Sequence, residues 1–254
     1  MPIPASERII FEPNPLVEVS CELSIERLLR LESELPVALQ EAIRDRYPRQ
    51  ESSRDASRGL TTYDFISEDR FWKFSVNATH LRLATTEYTE RQDFHRRLSP
   101  LLKAFSSIYD VHTASGFSLT YQDVINRHEL GLNQSSYAEL LKPAFAGELC
   151  DDALEEDEVD ELMRFISLKL AQGRAHITHG LTRDEQNRRV YVIRTELFEQ
   201  GRYPFEQIPQ ILLPYHDQGG YIFRWAISDR LKEALTSGAH HGICPPDVAG
   251  NHPS

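Results

Sequence analysis

The sequence predicts an α+β protein. A ferredoxin-like β-α-β-β-α-β half over residues 1–133 is expected to pack against a helix-β-β-helix half over residues 134–240, followed by a flexible tail over 241–254. Three patterns carry that expectation. Short segments alternate apolar and polar residues with period two, as half-buried strands do. Between them run stretches whose apolar residues recur at helical spacing. Proline, glycine and asparagine mark the junctions.

In Leu16–Ile25 the apolar Val17, Val19, Cys21, Leu23 and Ile25 alternate with Glu18, Ser20, Glu22 and Ser24, which predicts the first strand after Pro13 and Pro15. Pro36 suits a first helical turn, and Leu39, Ala42, Ile43 and Tyr47 follow at helical spacing until Pro48. Residues 49–59 have no apolar pattern and read as a loop. Trp72, Phe74 and Val76 share one face of a second strand. After the turn 77–80, Leu81 and Leu83 begin a third, making a hairpin. From Thr89, Phe94, Leu98, Leu101, Leu102, Phe105, Ile108 and Tyr109 form one helical stripe, with Thr89 and Gln92 spaced as a capping box. Gly116 opens a fourth strand in which Phe117, Leu119 and Tyr121 alternate with Ser118, Thr120 and Gln122. This order is the ferredoxin-like one. It leaves the face bearing Glu18, Ser20, Glu22, Lys73, Ser75, Ser118 and Thr120 to water or a partner.

The second half reads as a short helix at Tyr137–Leu141, a helix with Leu162, Met163, Ile166 and Leu170 inward, strands at 175–179 and 190–195, and a closing helix over 215–235. Residues 151–162 hold eight acids in twelve positions. Acids favour a helix start through the dipole. The run has neither the glycine nor the ligand order of a calcium loop.

Composition narrows the function classes. The 254-residue chain has no signal-peptide pattern and no apolar stretch of membrane length, and Cys21, Cys150 and Cys244 are odd in number and far apart. A reduced, cytoplasmic protein is expected. A net charge of −11 disfavours nucleic acid. The clusters Arg91, Arg96, Arg97 and Arg183, Arg188, Arg189 are interleaved with acids and read as solvated faces. The chain has no nucleophile elbow, P-loop, dinucleotide fingerprint or His-Glu-x-x-His helix.

Four groups are candidates for chemistry. His240, His241 and Cys244 supply soft donors but no fourth ligand at a recognisable spacing. His176 and His179 are three apart on a strand, so they face opposite ways. Glu18 and Glu22 share a strand face with Ser20 between them. Such carboxylates could hold a divalent cation, although the alternating acid pattern of triphosphate tunnel enzymes is incomplete here. Tyr121, Asp123, Asn126 and Arg127 end the fourth strand, where polar residues bind ligands or cap the backbone. Tyr215, His216 and Asp217, before Gly219 and Gly220, form a comparable cluster at a helix start.

Several short segments occur together: Asn14-Pro15-Leu16-Val17-Glu18-Val19, Phe71-Trp72-Lys73-Phe74-Ser75, Leu83 to Tyr88 with Phe94, and Phe117-Ser118-Leu119-Thr120-Tyr121. With Tyr215-His216-Asp217 and Phe223-Arg224-Trp225-Ala226-Ile227-Ser228-Asp229, the series resembles an uncharacterised, sporadically distributed prokaryotic family of similar length that opens with a Pro-Leu-x-Glu-Val strand. The resemblance implies an accessory or defence-type role and no transferable activity. That family's fourth strand carries a more basic, Gly-Leu-Arg-Tyr-like pattern. Ser118 and Thr120 depart from it, so no anion-binding role is carried over.

The expected function is therefore a non-enzymatic binding or interaction protein. It would take a protein partner or small ligand on the polar sheet face or at the junction of the halves, without a cofactor or membrane. The candidate positions are Glu18, Ser20, Glu22, Tyr121, Asp123, Asn126, Arg127, His216 and Asp217. The alternative is a metal-assisted enzyme acting on a phosphate-containing small molecule, its divalent cation held by Glu18 and Glu22.

Overall fold

In the computed structural model, which describes residues 3, 5–7, 9, 11–57 and 59–237, nine strands join one antiparallel sheet. They are β1 (Leu16–Ser24), β2 (Arg49–Asp55), β3 (Leu60–Ile66), β4 (Trp72–Val76), β5 (His80–Thr85), β6 (Thr113–Ile125), β7 (Leu162–Lys169), β8 (Arg174–Arg183) and β9 (Arg189–Pro204). The helices are α1 (Arg30–Ser33), α2 (Val37–Ile43), α3 (Arg91–Tyr109), α4 (Tyr137–Leu140), α5 (Pro143–Ala146), α6 (Ile208–Ala226) and α7 (Asp229–Ser237). Across the sheet the order is β2-β3-β4-β5-β1-β6-β9-β8-β7.

This arrangement overturns the expected ferredoxin-like half with a helix-β-β-helix half against it. Strand β6 pairs with β9 from Thr113↔Pro204 to Ile125↔Tyr191, so one sheet runs unbroken through both parts of the chain. Two elements differ locally from the expectation. Arg49–Asp55 is a strand rather than a loop: its backbone pairs with β3 while every side chain stays exposed, so no apolar alternation marks it. Leu162–Lys169 is a strand rather than a helix. Leu162, Ile166 and Leu170 are four apart, a spacing that serves the helical and the extended period alike.

Other expectations shift in detail. The closing helix is two helices: α6 starts at Ile208, and the chain extends at Ile227, which bridges to Leu141, before α7. His216 and Asp217 therefore lie inside α6, not at a helix start. The first residue before α3 is Glu90, and no side chain caps that helix, so the Thr89–Gln92 box does not form. In β1 the register against β6 slips between Leu16 and Glu18. That irregularity turns Val17 out to 39% exposure and lets Leu16 pack against the core in its place.

The amphipathic helices α3 and α6 pack against each other, and α6 lies over β6 and β9. Beneath them Val19, Cys21, Leu23, Phe74, Leu83, Phe117 and Leu119 are buried, with Phe94, Leu98 and Phe105 of α3 above. Each large apolar side chain so buried contributes roughly 1.5–3 kcal/mol. The expected inward parity of Trp72, Phe74, Phe117 and Tyr121 agrees with their burial. The opposite sheet face keeps its polar residues: Arg82 of β5 pairs with Glu18, and Ser75 donates to Asp64 at 2.5 Å. No helix among the described residues is long and apolar enough to cross a membrane. His240, His241, Cys244 and the tail 241–254 lie outside the described residues.

Candidate functional site

The helix-facing side of β6 carries Leu119, Tyr121, Asp123 and Ile125 in alternation. Three of these suit an apolar interior. Asp123 does not, yet it is only 5% exposed. Above it, Gly219 lets α6 come close: a Cβ at this position would sit 2.5 Å from the Tyr121 ring. Where β6, α6, the start of α3 and the segment leading into β1 meet, they leave a cavity of about 210 Å³. Tyr121 and Asp123 form part of its wall, with Tyr88, Thr89 and Arg91 from the β5–α3 connection. Helix α6 adds His216, Asp217, Tyr221, Phe223 and Arg224, and the N-terminal segment adds Ser6, Ile9, Phe11, Asn14 and Leu16.

The polar groups of this cavity are organised around His216. Its Nδ1 lies 2.5 Å from the Tyr121 hydroxyl and 3.3 Å from that of Tyr88. Its Nε2 lies 2.9 Å from Nε2 of His95, on α3. Two imidazole nitrogens at that distance share one proton, one donating and the other accepting. Arg91 donates to Asp217 at 2.8 Å, which ties the start of α3 to α6. Arg224 donates to the Ser6 hydroxyl at 2.7 Å and brings the N-terminal segment over the opening.

Burial sets the titration of these groups. It pushes the Asp123 carboxyl up to about 8, because the buried charge loses its hydration. Among the described residues no donor reaches that carboxyl. Burial also raises the Tyr121 hydroxyl well above its ordinary range, and the Tyr88 hydroxyl adds to the effect. His95 is lowered, first by burial and then by Arg91. The cavity thus presents a buried carboxyl next to hydroxyl and imidazole groups that can exchange a proton.

The candidates from the sequence divide cleanly. Tyr121, Asp123, His216 and Asp217 come together at this cavity, although the strand and helix that bear them are far apart in the chain. Asn126 and Arg127 do not join them. Asn126 accepts from the His128 N–H and donates to Glu129, which fixes the turn after β6. Arg127 pairs with Glu156 at 2.7 Å, donates to the Ser135 carbonyl and lies over the Tyr137 ring. Both make their contacts away from the cavity. Glu18, Ser20 and Glu22 lie on the opposite sheet face. Glu18 is paired with Arg82, Glu22 stands 3.7 Å from His80, and Ser20 is buried between strands. A cation recruited by these acids would compete with basic groups already in place. No group of three or more metal-ligating residues occurs among the described residues.

His176 and His179 do face opposite ways. His176 lies between the rings of Phe165 and Phe198 on the open face, while His179 is buried and bonded to the Tyr191 hydroxyl at 2.7 Å. Tyr88, Arg91 and His95 were not foreseen at the site. Arg91 stood out only as one of a charge cluster, and His95 is a single polar residue beside the apolar stripe of α3. No family model, curated protein or solved structure matches this chain.

Proposed function

We propose that the protein is a non-enzymatic binding protein that holds a small ligand with an amine or similar cationic head in the cavity beneath α6. The observation that supports this reading is the Asp123 carboxyl, buried and without a donor among the described residues at the wall of an open cavity. An isolated buried carboxylate is costly, and a cation that also donates hydrogen bonds removes that cost. The rings of Tyr88 and Tyr121 suit the same ligand, since aromatic rings attract cations. Asp217 and Arg91 at the rim neutralise each other, and Arg224 is turned to Ser6.

Thermal shift against a panel of aliphatic and aromatic amines, followed by titration calorimetry on those that stabilise the fold, tests the reading. A binding amine should lose roughly tenfold to hundredfold in affinity in Asp123→Asn, the usual weight of a charge-assisted hydrogen bond. With Asp123 neutral in the free protein and ionised in the complex, binding should release a proton below pH 8 and tighten as pH rises toward that value. Amines that bind Asp123→Asn as well as the unaltered protein would exclude this site.

A further inference from the structure

The two edges of the sheet differ in chemistry. Strand β2 is exposed at every position, and its sequence from Arg49 to Asp55 is wholly polar, which blunts it against pairing. Strand β7 is made otherwise. On the open face it shows Phe165, 61% exposed, and Met163, 50% exposed. On the helix face Leu162, Ile166 and Leu168 touch the core yet stay half-buried, and Arg164 between them pairs with Glu148. Its backbone pairs with β8 alone among the described residues. A long apolar edge of this kind is a template for another strand.

We infer that β7 is a self-association edge: two copies of the chain pair β7 with β7, antiparallel, about a twofold axis at Phe165. The register follows from charge and parity. Residues opposite one another in an antiparallel pair share a face, and twofold symmetry makes the contact self-complementary. With Phe165 opposite its own copy, Met163 faces Ser167 and Glu161 faces Lys169 on the open side. On the helix side Leu162 faces Leu168 and Arg164 faces Ile166. Glu161 and Lys169 are both exposed, and neither has an ion-pair partner among the described residues. The pairing supplies each with one, twice. Centring the axis on Arg164 would set two guanidinium groups against each other. Centring it on Ile166 would oppose Lys169 to Met163. Phe165 already meets His176 edge-on at 5.1 Å, and His176 meets Phe198 at 4.5 Å, so the dimer would continue one aromatic row across both copies.

Sedimentation equilibrium over a dilution series tests the inference on the full chain. The unaltered protein should pass from monomer to twice the 29.2 kDa mass as concentration rises. Lys169→Glu, which opposes like charges at two symmetric positions, should weaken association roughly tenfold. Adding Glu161→Lys to it should restore the original constant. Phe165→Lys should remain monomeric at every concentration with an unchanged circular dichroism spectrum. A monomer at all concentrations overturns the inference. So does a dimer that is indifferent to Phe165→Lys and to the charge exchange, which would place the contact elsewhere.

Discussion

Asp123 shares its strand face with Leu119, Tyr121 and Ile125, and of these four it alone brings a carboxyl into that apolar layer. In the unfolded chain its carboxyl titrates near the ordinary 3.8, and in the folded protein burial moves it to about 8. Below pH 3.8 the group is protonated in both states and costs folding nothing. As pH rises from there toward 8, the unfolded chain gives up the proton while the fold must keep it. Stability falls throughout that window and levels off above it. Asp123→Asn keeps the shape without the titration. Urea denaturation should find the variant and the parent nearly equal at pH 4 and the variant ahead by several kcal/mol, to order of magnitude, at pH 8. A gap that does not widen with pH would mean that the carboxyl is solvated or paired. Part of this was legible from residues alone: Tyr121, Asp123, His216 and Asp217 were marked as polar groups at element ends. Their convergence was not, because it depends on α6 crossing β6, a contact between segments with no local signature.

Among the elements, α6 owes its seat to two adjacent glycines with different neighbours. A Cβ at Gly219 would press to 2.5 Å against the Tyr121 ring, which is packed between Tyr88 and His216 and has little room to retreat. At Gly220 the nearest obstacle is the Arg224 guanidinium at 2.9 Å, the far end of a flexible side chain. Alanine should favour a helix by about 1 kcal/mol at either position. Gly220→Ala should keep most of that gain. Gly219→Ala should instead lose roughly 1–3 kcal/mol through overpacking and disturb the cavity wall. Thermal melts of the two variants, with the near-ultraviolet spectrum as a reporter of Tyr121, separate the cases. Local patterning served well where one face of an element is buried, as in α3 and in β1 from Val19 onward. It failed at the sheet's two edges for opposite reasons. β2 buries no side chain, and the four-residue spacing of Leu162, Ile166 and Leu170 in the β7 region fits two periods at once.

On the scale of the molecule, the sheet decides what a sequence reading could reach. Strands adjacent in the chain, such as β4 and β5 across the Asn77–His80 turn, follow from turn chemistry and alternation. The pairing of β6 with β9 joins segments separated by α4, α5, the acidic run, β7 and β8, and no residue of either strand announces the other. Yet that pairing makes a single sheet out of what read as two halves, and it supports the strand that carries Tyr121 and Asp123. The same topology predicts an uneven distribution of stability. β1, flanked by β5 and β6, and β6, flanked by β1 and β9, lie at the middle of the order under α3 and α6, so their amides open only with the whole fold. β2, at one margin with every side chain in water, opens locally. Hydrogen exchange read by mass spectrometry should show residues 16–24 and 113–125 exchanging last and residues 49–55 first. β7 should fall between the two in dilute solution and become slower as protein concentration rises, because pairing of two copies adds hydrogen bonds along that edge. If residues 162–169 exchange at the same rate at every concentration while 49–55 slow down, then the polar margin is the one that meets a second copy, and the chemistry of the two edges has been read the wrong way round.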